Sequence, residues 1–155
     1  MTEIEADPTV PIIRITRDFS ASPAQLLRAH TDPEIFARWV GPDTMRTRIE
    51  HWDARTGGSY RYVSVADGTE YAFRGCFHDI RADRIVQTFT YEGDPDGVAL
   101  ETLHFEDLGN RRTRLRTQSL VDSFESRDAW LRSGMETGLN DGYTTLERMF
   151  ANGAV

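Results

Sequence analysis

Apolar residues alternate with polar ones along much of this chain, and the alternation is broken at regular intervals by turn residues. Residues 12–19 (IIRITRDF) put Ile13, Ile15 and Phe19 on one parity, which predicts a first strand. Two helix starts follow. Ser22-Pro23 sets a capping hydroxyl before a proline, with Gln25 placed for a capping box, and Asp32-Pro33 repeats the device. Leu26, Leu27 and His30 form the contact face of one short helix, and Ile35, Phe36 and Trp39 that of the next. Gly41-Pro42 stops the second helix, so the pair is expected as a V.

From Met45 to Leu120 the pattern is that of successive strands. They cover 45–53, 59–65, 70–80, 84–91, 98–106 and 113–120, with turn signals at Gly57-Gly58, Asp67-Gly68, Ala82-Asp83 and Gly109-Asn110. In 45–53, Met45 and Ile49 share one parity and Trp52 has the other. That strand must either carry a bulge or pack Trp52 outside. From Ser126 to Phe150, apolar residues recur every three or four positions, which predicts one long amphipathic helix. The order is strand, two helices, six strands and helix. Tight turns make the strands antiparallel, and the segregated final helix makes the class α+β, about seven strands curved around it. Residues 1–10 are polar, acidic and contain Pro8, and read as a flexible arm. Residues 11–151 read as a single domain.

The strands carry their aromatic residues on one face. Tyr60 and Tyr62 share parity, as do Tyr71, Phe73 and Phe77, then Phe89 and Tyr91, then Leu103 and Phe105, and Leu115 and Thr117. Arginines occupy the opposite face. An aromatic sheet face requires a cover, and the last helix is the expected one. Gly134, Gly138 and Gly142 recur at every fourth residue of that helix. Each costs about 1 kcal/mol relative to alanine in a helix interior. Either close packing of another backbone or space left for a ligand would offset the loss, and both readings stay open here. Glu101 has the parity of Leu103 and Phe105. A bulge or strand end that turns it to solvent is the preferred reading, because a carboxylate facing the core would be penalised by burial.

Composition narrows the function. The 155 residues are 39% hydrophobic and 28% charged, with a net charge of −7. An acidic surface repels phosphate backbones and anionic lipid, so neither nucleic acid nor a membrane is an expected partner. No targeting segment or membrane-length apolar run is visible, and a cytoplasmic protein is expected. The single cysteine, Cys76, is expected as a small buried hydrophobe. The four histidines lie at no metal-ligand spacing, and there is no nucleophile elbow and no phosphate or dinucleotide loop. No catalytic residue, metal ligand or cofactor is assigned.

Several segments together resemble a known family. They are RDFSASPAQLL, TDPEIFARWVGP, WDARTGGSYRY followed by DGTEYAFRG, then RIVQTFTY and GMETGLNDGYTTLERM. In order and spacing they are similar to the START-like (SRPBCC, helix-grip) superfamily, in its bacterial branch related to the activator of the heat-shock-protein ATPase. The resemblance implies a cavity between the sheet and the last helix, and a role in binding a lipid- or polyketide-like hydrophobic or aromatic molecule. On that reading Trp39, Tyr60, Tyr62, Tyr71, Phe73, Phe89, Tyr91, Leu103, Thr117, Met135, Gly138 and Leu139 are the candidate ligand-binding residues, and Trp39 closes one end. Two alternatives remain: a cyclase- or hydrolase-type enzyme that uses Glu101 or a tyrosine in the same cavity, and a chaperone-associated interaction module. A homodimer formed through the last helix is compatible with all three.

Overall fold

A computed structural model describes residues 2–155. The elements are β1 (Glu3–Ala6), β2 (Ile12–Phe19), α1 (Pro23–Thr31), α2 (Pro33–Trp39), β3 (Arg46–Trp52), β4 (Ser59–Ala66), β5 (Thr69–Arg81), β6 (Arg84–Tyr91), β7 (Ala99–Gly109), β8 (Arg112–Leu120), α3 (Phe124–Leu131) and α4 (Met135–Ala151). The strands form one antiparallel sheet in the order β1-β2-β8-β7-β6-β5-β4-β3. The α+β class and the strand-helix-helix-strands-helix order agree with the pattern of the sequence.

The V of short helices is built as its caps require. The Ser22 hydroxyl accepts from Gln25 N at 3.2 Å, and Gln25 Oε1 accepts from Ser22 N at 2.9 Å. Asp32 serves both helices. Its backbone N–H closes α1 on Arg28 O, while its carboxylate accepts from Glu34 N at 3.0 Å at the start of α2. The ambiguity in β3 resolves as a bulge. The register shifts between Ile49 and His51, which turns Trp52 inward to donate from Nε1 to Thr31 O at 2.8 Å.

Four expectations change. The N-terminal segment is not a loose arm: Glu3–Ala6 pairs with β2, and this adds an eighth strand. Asp7 turns the chain back by accepting from Thr9 N at 2.8 Å and Val10 N at 3.1 Å. The Asp7 carboxylate also pairs with Arg14, and the buried Arg127 donates to Asp7 O at 2.7 Å. Four residues are too few for an alternation to stand out. Second, the long helix is two helices. The chain breaks after α3, and Gly134 has φ 86°, a left-handed conformation that L side chains rarely adopt. Third, the glycines form no common stripe toward a ligand. Gly134 lies outside the helix interior. A Cβ on Gly142 would lie 2.7 Å from Trp39 O, and one on Gly138 would lie 3.3 Å from Pro42 Cδ. This face of α4 packs on the end of α2 and the loop after it, which settles the open choice in favour of close packing. Fourth, Cys76 is exposed, because it falls on the outer parity of β5 with Arg74 and His78.

The core lies between the inner sheet face and the helices. It includes Ile13, Phe19, Leu26, Phe77, Ile85, Leu115 and Leu146, each at most 2% exposed. Tyr143 and Phe150 of α4 meet Phe19 edge to face, with ring centroids 5.2 and 6.1 Å apart. These contacts anchor the C-terminal part of α4 on β2.

The two helical glycines should respond differently to a methyl group. Gly142→Ala drives Cβ into the Trp39 carbonyl and is expected to lower unfolding free energy by about 1–3 kcal/mol. Gly138→Ala needs only a small shift of Pro42 and gains helix propensity, so it should stay within about 1 kcal/mol of the parent. Urea unfolding of both variants measures the contrast.

Candidate functional site

Between the sheet and the helices lies a cavity of about 180 Å³. One wall is the inner sheet face, with Tyr60 and Tyr62 on β4, Phe89 on β6 and Leu103 on β7. Phe36 and Trp39 of α2 and Trp52 of β3 form a second wall. Trp130 of α3 and Met135, Leu139 and Tyr143 of α4 form the third. Most of this surface is aromatic. Tyr62 stacks on Phe73 at 5.2 Å, Phe73 on Phe89 at 5.4 Å, and Phe89 on Trp130 at 5.9 Å with planes only 4° apart. Trp39 is held by its indole N–H, which donates to Ala29 O at 2.9 Å.

The structure thus brings Trp39, Tyr60, Tyr62, Phe89, Leu103, Thr117, Met135 and Leu139 to one cavity. The other candidates lie off it. Phe73 backs the wall between Tyr62 and Phe89, Tyr71 and Tyr91 lie with ring centroids 6.5 Å apart and Tyr91 exposed, and Gly138 packs on Pro42. The reason is the length of β5 and β6: Tyr71 and Tyr91 have the inward parity, but at a position along the strands that the helices do not cover.

The polar part of the wall comes from a row across the sheet. Phe77, Gln87, Glu101, Ser119 and Ile13 are successive cross-strand partners on β5, β6, β7, β8 and β2. All of them turn inward. Glu101 was expected in solvent, yet β7 is regular at this position and the carboxyl lines the cavity. Glu101 is half-buried, and it is part of the cavity wall. What makes this tolerable is the row itself. Gln87 Nε2 donates to Glu101 Oε1 at 3.0 Å, and Ser119 Oγ donates to Oε2 at 3.1 Å. Burial still pushes the Glu101 pKa up, against the opposing effect of these two bonds. The tyrosines feel the same environment. Burial first, and then the charge of Glu101, raises the pKa of Tyr60, Tyr62 and Tyr143. The Tyr60 hydroxyl donates to Thr88 O at 2.6 Å. The Tyr143 hydroxyl approaches Thr117, but the pair falls outside hydrogen-bond geometry, and Thr117 Oγ1 is left buried with no partner.

His30 completes the site from α1. Its ring packs edge-on to Trp39 at 5.0 Å, and Nδ1 donates to Leu26 O at 2.8 Å. That bond assigns the proton of the neutral ring to Nδ1. Burial lowers the His30 pKa to about 4, so the ring is neutral at physiological pH.

Gln87, Glu101 and Ser119 have the same parities as Phe89, Leu103 and Thr117, and strand alternation alone could have found them. His30, Phe36, Trp130 and Tyr143 lie on helices, where the packed face reports burial but not which residues border a cavity. Among the described residues there is no cluster of three or more His, Cys, Asp or Glu side chains placed to hold a metal ion. No described helix is long and apolar enough to cross a membrane.

A sheet wrapped against a C-terminal helix, with the cavity between them, defines a helix-grip domain of the START-like class. The family model described as "Activator of Hsp90 ATPase homolog 1-like protein" matches residues 20–151, and the chain belongs to this family. No protein of curated function matches it. Among solved structures, a protein from Rhodobacter sphaeroides is similar with a TM-score of 0.86 at 24% identity, covering 97% of this chain and 98% of its own. A protein from Arthrobacter aurescens gives 0.88 at 24% identity, covering 97% and 91%. One from Mycobacterium smegmatis gives 0.86 at 18% identity, covering 95% and 94%. These likenesses establish the fold.

His30 should make stability depend on acidity. Its pKa falls from about 6.5 in the unfolded chain to about 4 in the fold. Its contribution is present above the unfolded value and is lost as pH falls toward 4, amounting to about 3 kcal/mol. Glu101 acts in the opposite sense, because a raised carboxyl pKa removes stability as pH rises. His30→Asn can keep a donor to Leu26 O and does not titrate. Urea unfolding of both proteins across this pH range should show the loss on acidification in the parent and a smaller loss in the variant.

Proposed function

We propose that the protein binds a small, mainly apolar molecule in the cavity between the sheet and α2, α3 and α4. The observation that carries this reading is the cavity itself. It has a volume of about 180 Å³, it is walled by aromatic rings, and its few polar groups converge on one part of the wall. Ligand sites have this composition, apolar over most of their surface with a small number of placed polar groups. An engineered apolar cavity of about 150 Å³ accommodates benzene. A volume of about 180 Å³ therefore suits a single ring with a short substituent better than a long acyl chain or a fused polyketide. An open interior also weighs against the interaction-module alternative, for which a filled core is the expected signature.

Chemistry in the same cavity is a second reading, supported by one observation. Burial raises the Glu101 pKa and so favours the protonated form of its carboxyl, the form a general acid requires. Its hydrogen-bond partners, Gln87 and Ser119, do not titrate, so the carboxyl has no acid–base partner in direct contact. Binding is the better supported function.

Titration with toluene and with indole, followed by amide chemical shifts, tests the proposal. Both should perturb residues around the cavity and not those near Tyr71. Leu139→Trp fills space from α4 and is expected to weaken both ligands by about tenfold or more, since excluding a ring forfeits most of its apolar burial. Tyr71→Ala, off the cavity, should leave affinity unchanged. Equal binding by the Leu139→Trp variant would place the ligand elsewhere.

A further inference from the structure

The polar part of the cavity wall is incomplete. Each oxygen of Glu101 accepts one hydrogen bond, from Gln87 and from Ser119, and both donors are neutral. A carboxylate offers about four acceptor positions, so about two remain. No cationic side chain acts on Glu101 among the described residues, and it takes part in none of their ion pairs. A buried carboxylate is costly unless a proton or a cation compensates it. Two residues along β8 from Ser119, and on the same face, stands Thr117. The residue is nine-tenths buried and part of the same cavity wall, and its hydroxyl has no hydrogen-bond partner. The remaining walls present aromatic rings, whose faces attract cations and are indifferent to anions at best.

We infer that the cavity selects a small protonated amine on a compact apolar body, with its ammonium group held between the Glu101 carboxylate and the Thr117 hydroxyl. The inference rests on the small-molecule-binding reading above and names its ligand class. An ammonium carries three donors. Glu101 and Thr117 accept two of them, and the third is directed at the aromatic wall. The charge of the ligand neutralises Glu101, so each compensates the other's loss of water. A ligand carboxylate would instead set two like charges together where little water screens them. A pure hydrocarbon would fill the apolar volume and leave Glu101 and Thr117 as they are.

Four ring compounds of similar size separate these cases: benzylamine, benzyl alcohol, toluene and benzoate. Each is titrated into the full chain at neutral pH, with amide shifts as the readout. Benzylamine should bind about tenfold or more tightly than benzyl alcohol or toluene, as one hydrogen bond to a charged group requires, and benzoate should bind weakest. In Glu101→Gln the preference for benzylamine over benzyl alcohol should disappear. Thr117→Val should weaken benzylamine more than toluene. The Glu101 side-chain carboxyl resonance should titrate at lower pH with benzylamine present than without it. If toluene binds as well as benzylamine, or benzoate binds best, the amine assignment is overturned while the binding reading stands. A preference that survives in Glu101→Gln overturns it too, because the ammonium group is then not at that carboxyl. If none of the four compounds binds, the small-molecule reading falls and this inference falls with it.

Discussion

The position of α4 depends on a backbone contact. Gly142 brings the helix against the carbonyl of Trp39 and the N–H of Gly41, nearer than any side chain would allow. Steric exclusion acting at one position therefore fixes where α4 stands relative to α2. The helix can then seat Tyr143, Leu146 and Phe150 in the core, while its N-terminal part, with Met135 and Leu139, borders the cavity. The cavity is in this sense what remains between two constraints, the tight α2–α4 contact on one side and the curvature of the sheet on the other. The glycine that shapes it is not part of its wall.

The second organising feature is the row of cross-strand partners that carries Glu101. Three polar residues on β6, β7 and β8 face a largely aromatic interior, and two hydrogen bonds hold the central carboxyl. Replacing all three residues together with hydrocarbon of the same shape would cost the fold little. A carboxyl kept here is therefore poorly explained by stability. On the proposed reading, its use lies in what it offers to a molecule in the cavity. Among the described residues Glu101 is the one carboxyl group in the wall, where His30 is neutral and the tyrosine hydroxyls are undissociated.

Much of the architecture was legible in the sequence because period-two alternation and helix caps are local signals. The boundaries of β2 and the V set by Ser22 and Asp32 follow from neighbouring residues, while the parity conflict at Trp52 leaves a bulge or outward packing open until the register decides for the bulge. The parts that were not legible depend on distance. The break at Gly134 interrupts an apolar period that continues across it, so the pattern alone predicts one helix. Gly138 and Gly142 look alike in sequence, and only the path of the α2 loop distinguishes a proline contact from a carbonyl contact. For the site, parity correctly placed Tyr60, Tyr62, Phe89 and Leu103 on the inner face. Parity gives a face but not a position along it, which is why Tyr71 and Tyr91 lie beyond the helices' cover. Glu101 was misread for a different reason. Two donors offset the burial penalty of its carboxyl, and they come from residues 14 and 18 positions away in sequence, which no local pattern brings together.

The N-terminal strand has a consequence for association between molecules. Without it, β2 would be the border of the sheet and would present a long hydrogen-bonding edge rich in isoleucine. Open edges of that kind recruit further strands and lead to aggregation. β1 covers this edge with four residues, and two of them are glutamates. The border it leaves is short and negatively charged, and a second molecule approaching with the same border meets like charge. The opposite border, β3, is interrupted by its bulge and carries Arg46, Arg48, Glu50 and His51. Both borders of the sheet thus carry features that disfavour continuation, and the two glutamates of β1 supply those of the first.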